Sequence, residues 1–336
     1  MEAVVKAPTS TDGWDVTKLL AKLGTDFSVE GEAGKTFSRI ASLSEATLTD
    51  LTFCSAEGNQ GVDAVLHSNG GVILCKKQLK GAVQVRNGIQ LVFVDNPRHM
   101  FVRIARELGH MNRRENSHRL AAIAPTAVVS PSASIGADCD VGNFVVIGAN
   151  CEIGEGCIIH DRVTIGPNCK LGNGCIIQTG VTIGEEGFSY ERLESGELVK
   201  FPHLRGVIIG DNVEIAANTN IASGSLTDTI ISSGTKIDAM VHIAHNVHVG
   251  RNCQLTAGTV VGGSAIIGDC CWTGLNCTVK DHARLGNNVI VAAGACVINE
   301  VSDGDVVAGV PAKSIKHKVS DPNVFLMAAQ KRSEPG

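Results

Sequence analysis

Three histidines stand in the stretch Val241-His-Ile-Ala-His-Asn-Val-His-Val-Gly250, and His282 follows further along. Imidazole is the side chain whose proton affinity best suits proton transfer near neutral pH, so these residues are the first candidates for a general base. A base needs an electrophile beside it. Gly263, in Val261-Gly-Gly-Ser264, comes 18 residues after His245. A residue without a side chain lets a carbonyl oxygen approach a backbone N–H, and an N–H donor next to a base is what acyl transfer requires. His282, 37 residues beyond His245, can line the same groove. All of this depends on elements that bring residues 18 apart into contact.

The chain has such elements. From Val129 to Ile183 an aliphatic residue falls on every sixth position, through Ile135, Val141, Ile147, Ile153, Ile159, Ile165, Leu171 and Ile177. Two positions earlier sits a small or slim residue such as Cys139, Val145 or Cys151. The register lapses after Ile183, returns at Ile209, slips once after Ile221, and then runs from Ile231 to Val297 with only Thr273 breaking the apolar rule. Hexads of this length predict a mainly β chain wound into a parallel β-helix, three short strands to the coil. Residues 18 apart then stack on neighbouring rungs, roughly 4.7–4.9 Å from each other. With Ile243 and Val249 pointing inward, His242, His245 and His248 point outward. Gly263 lies one rung from His245 in the same phase, and His282 two rungs away and one step along.

Three histidines also raise the question of a metal. Residues three apart in an extended run face opposite sides, so His-x-x-His-x-x-His does not converge on one ion. The γ-class carbonic anhydrases, which bind zinc on this kind of prism, place a histidine pair where this chain has Asp281 and Asn287. The expectation is therefore a site without metal.

With 336 residues, 43% of them apolar, and 38 glycines, the chain has material for two domains. No run approaches the ~18 apolar residues of a membrane span, and MEAVVKAPTSTDGWD lacks the character of a secretion signal. The first arginine is Arg39, so no Arg-rich transit peptide is visible. Of twelve cysteines, eight (Cys139, Cys151, Cys157, Cys169, Cys175, Cys253, Cys271 and Cys277) take the small inward position of a hexad. They read as compact core residues of a soluble protein in a reducing compartment. A net charge of −5 gives no general attraction to nucleic acid, and nine Phe, two Trp and one Tyr leave few platforms for stacked bases.

Five segments follow from these patterns: a flexible start (1–13), a small α/β domain (14–110), a linker (111–123), the β-helix (124–311) and a tail (312–336) with one short basic helix at Asn323–Arg332. In the α/β domain Asp15 can cap a helix carrying Val16, Leu19, Leu20 and Leu23 on one face. Strand-like runs follow at Leu51–Cys54, Gly71–Cys75 and Gln90–Val94, and Asn96-Pro97 opens a second helix reaching Leu108. Gly184–Arg205 interrupts the hexads and holds the single tyrosine, Tyr190. An insertion this long in a tight repeat marks an active site or an interface.

Several pieces resemble the UDP-3-O-acylglucosamine N-acyltransferases, hexapeptide-repeat enzymes of lipid A assembly. They are Ile243-Ala-His-Asn-Val247, Gly184-Glu-Glu-Gly-Phe-Ser-Tyr190, Gly206-Val-Ile-Ile-Gly210, Asp228-Thr-Ile-Ile231 and Ala124-Pro-Thr-Ala-Val128, with Ala41-Ser-Leu43, Leu51-Thr-Phe53 and Asp95-Asn-Pro97 upstream. The resemblance spans roughly residues 14–311. It implies a left-handed β-helix, an N-terminal uridine-binding domain, and a homotrimer with active sites between subunits. The acyl donor it implies is a phosphopantetheine thioester on acyl carrier protein, with no further cofactor. It makes His245 the base that takes a proton from the glucosamine 2-amine and Gly263 the oxyanion donor. His242, His282 and Asn246 are placed at the nucleotide sugar, and Phe53 against the uracil. Where the family commonly has Asn-Pro-x-Tyr after that phenylalanine, this chain reads Cys54-Ser-Ala-Glu-Gly-Asn59, so a single ring is expected on the base. Lys313, Lys316, Lys318, Lys331 and Arg332 form a basic end able to meet an acidic carrier. Bacterial members are cytoplasmic and plant members mitochondrial. Two rivals are the O-acyltransferase of the same pathway, which usually has Asp after its histidine and lacks the N-terminal domain, and a non-catalytic β-helix scaffold.

Overall fold

A computed structural model describes residues 13–114 and 122–318. The first twelve residues, most of the linker, and the segment Asn323–Arg332 expected to be helical, with Lys331 and Arg332, lie outside them. The chain divides into two compact units, residues 1–118 and 119–336.

In the N-terminal unit a five-stranded sheet runs in the order Ser28–Gly31, Gln90–Val94, Val72–Lys76, Asp50–Phe53, Arg39–Ile40, antiparallel only at its first pair. Side chains alternate across a strand, so each strand feeds two cores. Val72, Leu74, Val92 and Val94 pack with Leu19, Leu20, Ile104 and Leu108 of the helices Val16–Lys22 and Pro97–Arg114. Ile73, Cys75, Leu91 and Phe93 pack on the other face with Val65 of a helix at Gly58–His67. That third helix has no side-chain cap and starts on a glycine, which is why no start signal announces it. The other two begin where their signals stand. Asp15 Oδ1 accepts from Thr17 N at 2.9 Å, and Asn96 Oδ1 accepts from His99 N at 3.0 Å, just ahead of Pro97 at the tolerated first position.

The second unit is a three-faced parallel coil. Among the described residues its three faces have eight, eleven and nine strands, and within those faces every pairing is parallel except that of Lys313–Ser314 with Val306–Ala308. His242 pairs with Val260 and Ile243 with Val261, the 18-residue step expected from the hexads. The inward aliphatics and the eight small-position cysteines form one continuous core. All twelve cysteines are free thiols. Several satisfy their own polarity along the coil: Cys139, Cys151, Cys253 and Cys271 each donate to a glycine carbonyl at 3.0 Å. Thr273 is buried like its aliphatic counterparts. Its hydroxyl sits 3.0 Å from that of Thr259, which donates in turn to Thr256 O at 2.7 Å, so no polar atom is stranded.

Register fails twice. Lys170 pairs with Ile208, looping out the residues between Ile183 and Val207, whose tip is a hairpin of Tyr190–Arg192 with Leu198–Lys200. Ile208 pairs with Ile230, looping out a shorter segment around Ser223–Asp228. Both loops meet at one corner of the prism.

Candidate active site

That corner begins at the strand His242–Ile243, after which the chain turns through Asn246 at φ +62°. Asparagine tolerates this left-handed conformation better than most residues, which lets the turn aim His245 outward. Coils stack as spacing requires: Ser264 N donates to His245 O and His282 N to Gly263 O, each at 2.9 Å. His242, His245, Gly263, Asp281 and His282 consequently line one cavity of about 400 Å³, closed on another side by Glu186, Gly187 and Phe188 from the long loop.

The His245 ring is oriented from behind. His245 Nδ1 lies 2.8 Å from Asn246 Oδ1. The Asn246 amide has only one sensible orientation, because its Nδ2 donates to the carbonyl of Thr227 at 2.8 Å and a carbonyl cannot donate back. Its oxygen also accepts from Ser225 Oγ at 2.7 Å, and its backbone N–H donates to Thr229 Oγ1 at 2.9 Å. The His245 Nδ1 therefore carries the hydrogen in the uncharged tautomer, which leaves the lone pair on Nε2. Ser225, Thr227 and Thr229 belong to or border the short loop. Asn246, placed at the sugar by the resemblance, does not line the cavity; its side chain is committed to these partners and to the imidazole.

Gly263 faces the ring on the other side. A Cβ there would lie 2.8 Å from His245 Cε1 and 2.9 Å from Nε2, so only glycine leaves the imidazole in place. Its N–H is also open. At some of the other hexad corners the N–H is capped by a side chain on the next rung, Asn143 by Asp161 and Arg251 by Asp269 at 2.7 Å, and at others, Leu275 and Ala293 among them, no described residue takes it. Among the described residues no acceptor takes the Gly263 N–H. The residue packed against Nε2 thus carries an N–H with nothing on it.

His242 is exposed at the rim, yet partial desolvation by the surrounding groove lowers its pKa. His282 is exposed at φ +60°, the left-handed conformation that recurs at the hexad corners, and lines the cavity from a neighbouring coil. Phe53 lies in the N-terminal unit, at the end of its strand. It is half-buried, its ring 4.9 Å from that of Phe101 on the helix Pro97–Arg114. One neighbour of the site had no signal in the repeat pattern. His203, in the long loop, sets its ring 5.4 Å from His245 at 73°. Both of its ring nitrogens are shut off from solvent without a well-formed hydrogen bond, and burial first, then the nearby charge of His245, lower its pKa. In the same loop Lys200 pairs with Glu186 and holds that carboxyl below its usual range.

Comparison with known proteins recognises the repeat and the family. The bacterial transferase hexapeptide (six repeats) family matches residues 150–185 and 228–263, and the hexapeptide repeat of succinyl-transferase matches 264–298. A UDP-3-O-acylglucosamine N-acyltransferase from Delftia acidovorans is 38% identical over 292 residues, covering 87% of this chain and 84% of that protein. This chain belongs to the UDP-3-O-acylglucosamine N-acyltransferase family. A probable UDP-3-O-acylglucosamine N-acyltransferase 2 from Arabidopsis thaliana, named as mitochondrial, is 39% identical over 39% of this chain and 43% of its own length. Among solved structures, UDP-N-acetylglucosamine O-acyltransferase from Moraxella catarrhalis superposes with a TM-score of 0.53 at 24% identity, over 62% of this chain and 82% of that one. The Campylobacter jejuni UDP-N-acetylglucosamine acyltransferase gives 0.51 at 19% identity over the same shares. These likenesses show the fold, a left-handed parallel β-helix. No helix among the described residues is long and apolar enough to cross a membrane.

Proposed function

We propose that this chain moves a 3-hydroxyacyl group from the thioester of acyl carrier protein to the 2-amine of UDP-3-O-acylglucosamine, in lipid A or lipid A-like biosynthesis. The observation that carries the chemistry is the imidazole whose Nδ1–H is fixed by Asn246, leaving Nε2 free against Gly263, whose N–H is open. The amine nitrogen attacks the thioester carbonyl while Nε2 takes its proton, a step worth roughly 10²–10⁴ in rate. Carbonyl electrons move onto oxygen, and the Gly263 N–H donates a hydrogen bond to that oxyanion, a kind of contact worth about 10²–10³. The tetrahedral species then collapses: the C–S bond breaks, the amide forms, and the thiolate leaves with the proton held by His245. No covalent enzyme intermediate, metal or resident cofactor enters this route. The phosphopantetheine arrives with its carrier.

His242 and His282, both lining the cavity, hold the nucleotide sugar, and Phe53 meets the uracil. The assembly is a homotrimer with grooves between chains. Its support is the exposed apolar surface of the long loop, where Phe188 is 88% and Leu204 63% exposed. Lys313, Lys316 and Lys318 supply positive charge for the acidic carrier. Twelve free thiols fit an aqueous reducing compartment, cytoplasmic or mitochondrial according to the organism. Mass spectrometry of products from UDP-3-O-acylglucosamine and a panel of acyl carriers tests the reaction; light scattering giving one chain's mass at micromolar concentration would exclude the trimer.

A further inference from the structure

We propose that His203 is a positioning residue, whose ring packs edge-to-face on His245 and keeps that base aimed at the groove. The inference rests on His245 being the base. One hydrogen bond, from Nδ1 to Asn246, pins one corner of an imidazole and leaves it free to pivot about that point. Gly263 closes the Cε1 and Nε2 side. The remaining edge, Cβ and Cδ2, is met by the long loop. A Cβ on Gly187 would fall 3.0 Å from His245 Cδ2 and 2.8 Å from His203 Nε2, so this glycine is wedged where the two rings come together. His203 lies 5.4 Å from His245, ring to ring, at 73°. The loop thus brings a bare backbone and a flat ring to the one side of the base that the repeat leaves open.

Neither ring nitrogen of His203 makes a well-formed hydrogen bond, the Phe201 backbone offering only a weak contact. Its place is accordingly set by packing, and shape is what it contributes. Keeping it neutral also matters, because His245 becomes a cation when it takes the amine proton. The charged groups facing His203 are Glu186 and Lys200 from its own loop and His245 across the contact, and Glu186 and Lys200 largely cancel by pairing with each other.

Steady-state kinetics and thermal melts of His203→Ala, His203→Phe, His203→Gln and Gly187→Ala test this, with His245→Ala measured alongside. A mispositioned base lowers kcat: His203→Ala should lose roughly 10- to 100-fold in kcat with both KM values within about threefold. His203→Phe, which keeps a flat ring, should recover most of that, and His203→Gln should not. Gly187 has an unstrained backbone, so Gly187→Ala should mimic the loss without lowering the melting temperature. In a His245→Ala background His203→Ala should cost nothing further. The proposal is overturned if His203→Ala keeps wild-type kcat while His245→Ala is impaired, if its effect lies in KM, or if Gln rescues and Phe does not. Should His203→Ala fail to fold, Gly187→Ala and His203→Phe still decide. Near-normal activity of His245→Ala would instead remove the base assignment itself.

Discussion

Replacing Gly263 by alanine separates the two tasks assigned to that residue. The N–H survives the substitution, and the backbone at residue 263 is outside the left-handed region, so the main chain need not adjust. What changes is the room beside the base. The new methyl would stand 2.8 Å from His245 Cε1 and 2.9 Å from Nε2, where ordinary contact begins at 3.4 Å and extends to 4 Å. The ring must retreat by about 0.5–1 Å, and with Nδ1 held at 2.8 Å from Asn246 Oδ1 it can do so only by pivoting toward Gly187 and His203, which already pack on its far edge. A displacement near 1 Å in a reacting group costs roughly 10² in rate. Initial rates of acyl transfer should show kcat down by about that factor, with both KM values little changed. Melting temperature should be preserved, because the atoms struck are the far end of one outward side chain. Activity within threefold of wild type would refute the packing of Gly263 on the base, and a large loss of melting temperature would mean that the glycine serves the coil instead.

Asn246→Gly keeps the positive φ and removes the amide that orients His245, so kcat should fall by roughly 10² for a misplaced ring and up to about 10⁴ if the wrong tautomer takes over; a loss confined to KM would return Asn246 to the sugar. Phe53→Ala should raise the nucleotide-sugar KM roughly 5- to 150-fold, the equivalent of about 1–3 kcal/mol of stacking, with kcat less affected. A lowered melting temperature with unchanged KM would make Phe53 a partner of Phe101 only. The His203 pKa lies below the ordinary 6.5, so below that pH the unfolded chain binds a proton the folded one refuses, and folding stability falls as pH falls. His203→Phe should therefore lose less melting temperature than wild type between about pH 7 and pH 5; equal losses would show that His203 is not held neutral.

The period of the hexads carried the reading a long way. Because inward Ile243 and Val261 are 18 residues apart, it placed His245, Gly263 and His282 along one groove, and the pairing of His242 with Val260 has that step. It also told the thiols' role, since a residue two positions before an inward aliphatic has room only for a small side chain. Period fails where there is no repeat. His203 and Gly187 sit in the long loop, and Ser225 and Thr227 in the short one, so no phase could assign them to His245. The two lapses in register were visible in the sequence; their meeting at one imidazole was not, because a loop's path is set by tertiary packing. Asn246 was legible as a neighbour in sequence, but its direction depended on Thr227, which pairs with it only once the short loop folds back. In the N-terminal unit the capped helices were readable from Asp15 and Asn96-Pro97, whereas the uncapped Gly58–His67 carried no start signal. Phe101, the ring beside Phe53, lies within the helix read from Asn96-Pro97, and only the fold shows that the two meet.

The central claim is that His245 takes the amine proton as an N-acyl bond forms. Its most direct measurement is a single-turnover reaction of 3-hydroxyacyl carrier protein with UDP-3-O-acylglucosamine, the product followed by mass spectrometry, for wild type and His245→Ala. The expected product is the amide on the glucosamine nitrogen, formed roughly 10²–10⁴ times more slowly by the variant, with its melting temperature unchanged. Transfer to oxygen, no transfer by wild type, or a variant within tenfold of wild type would contradict it.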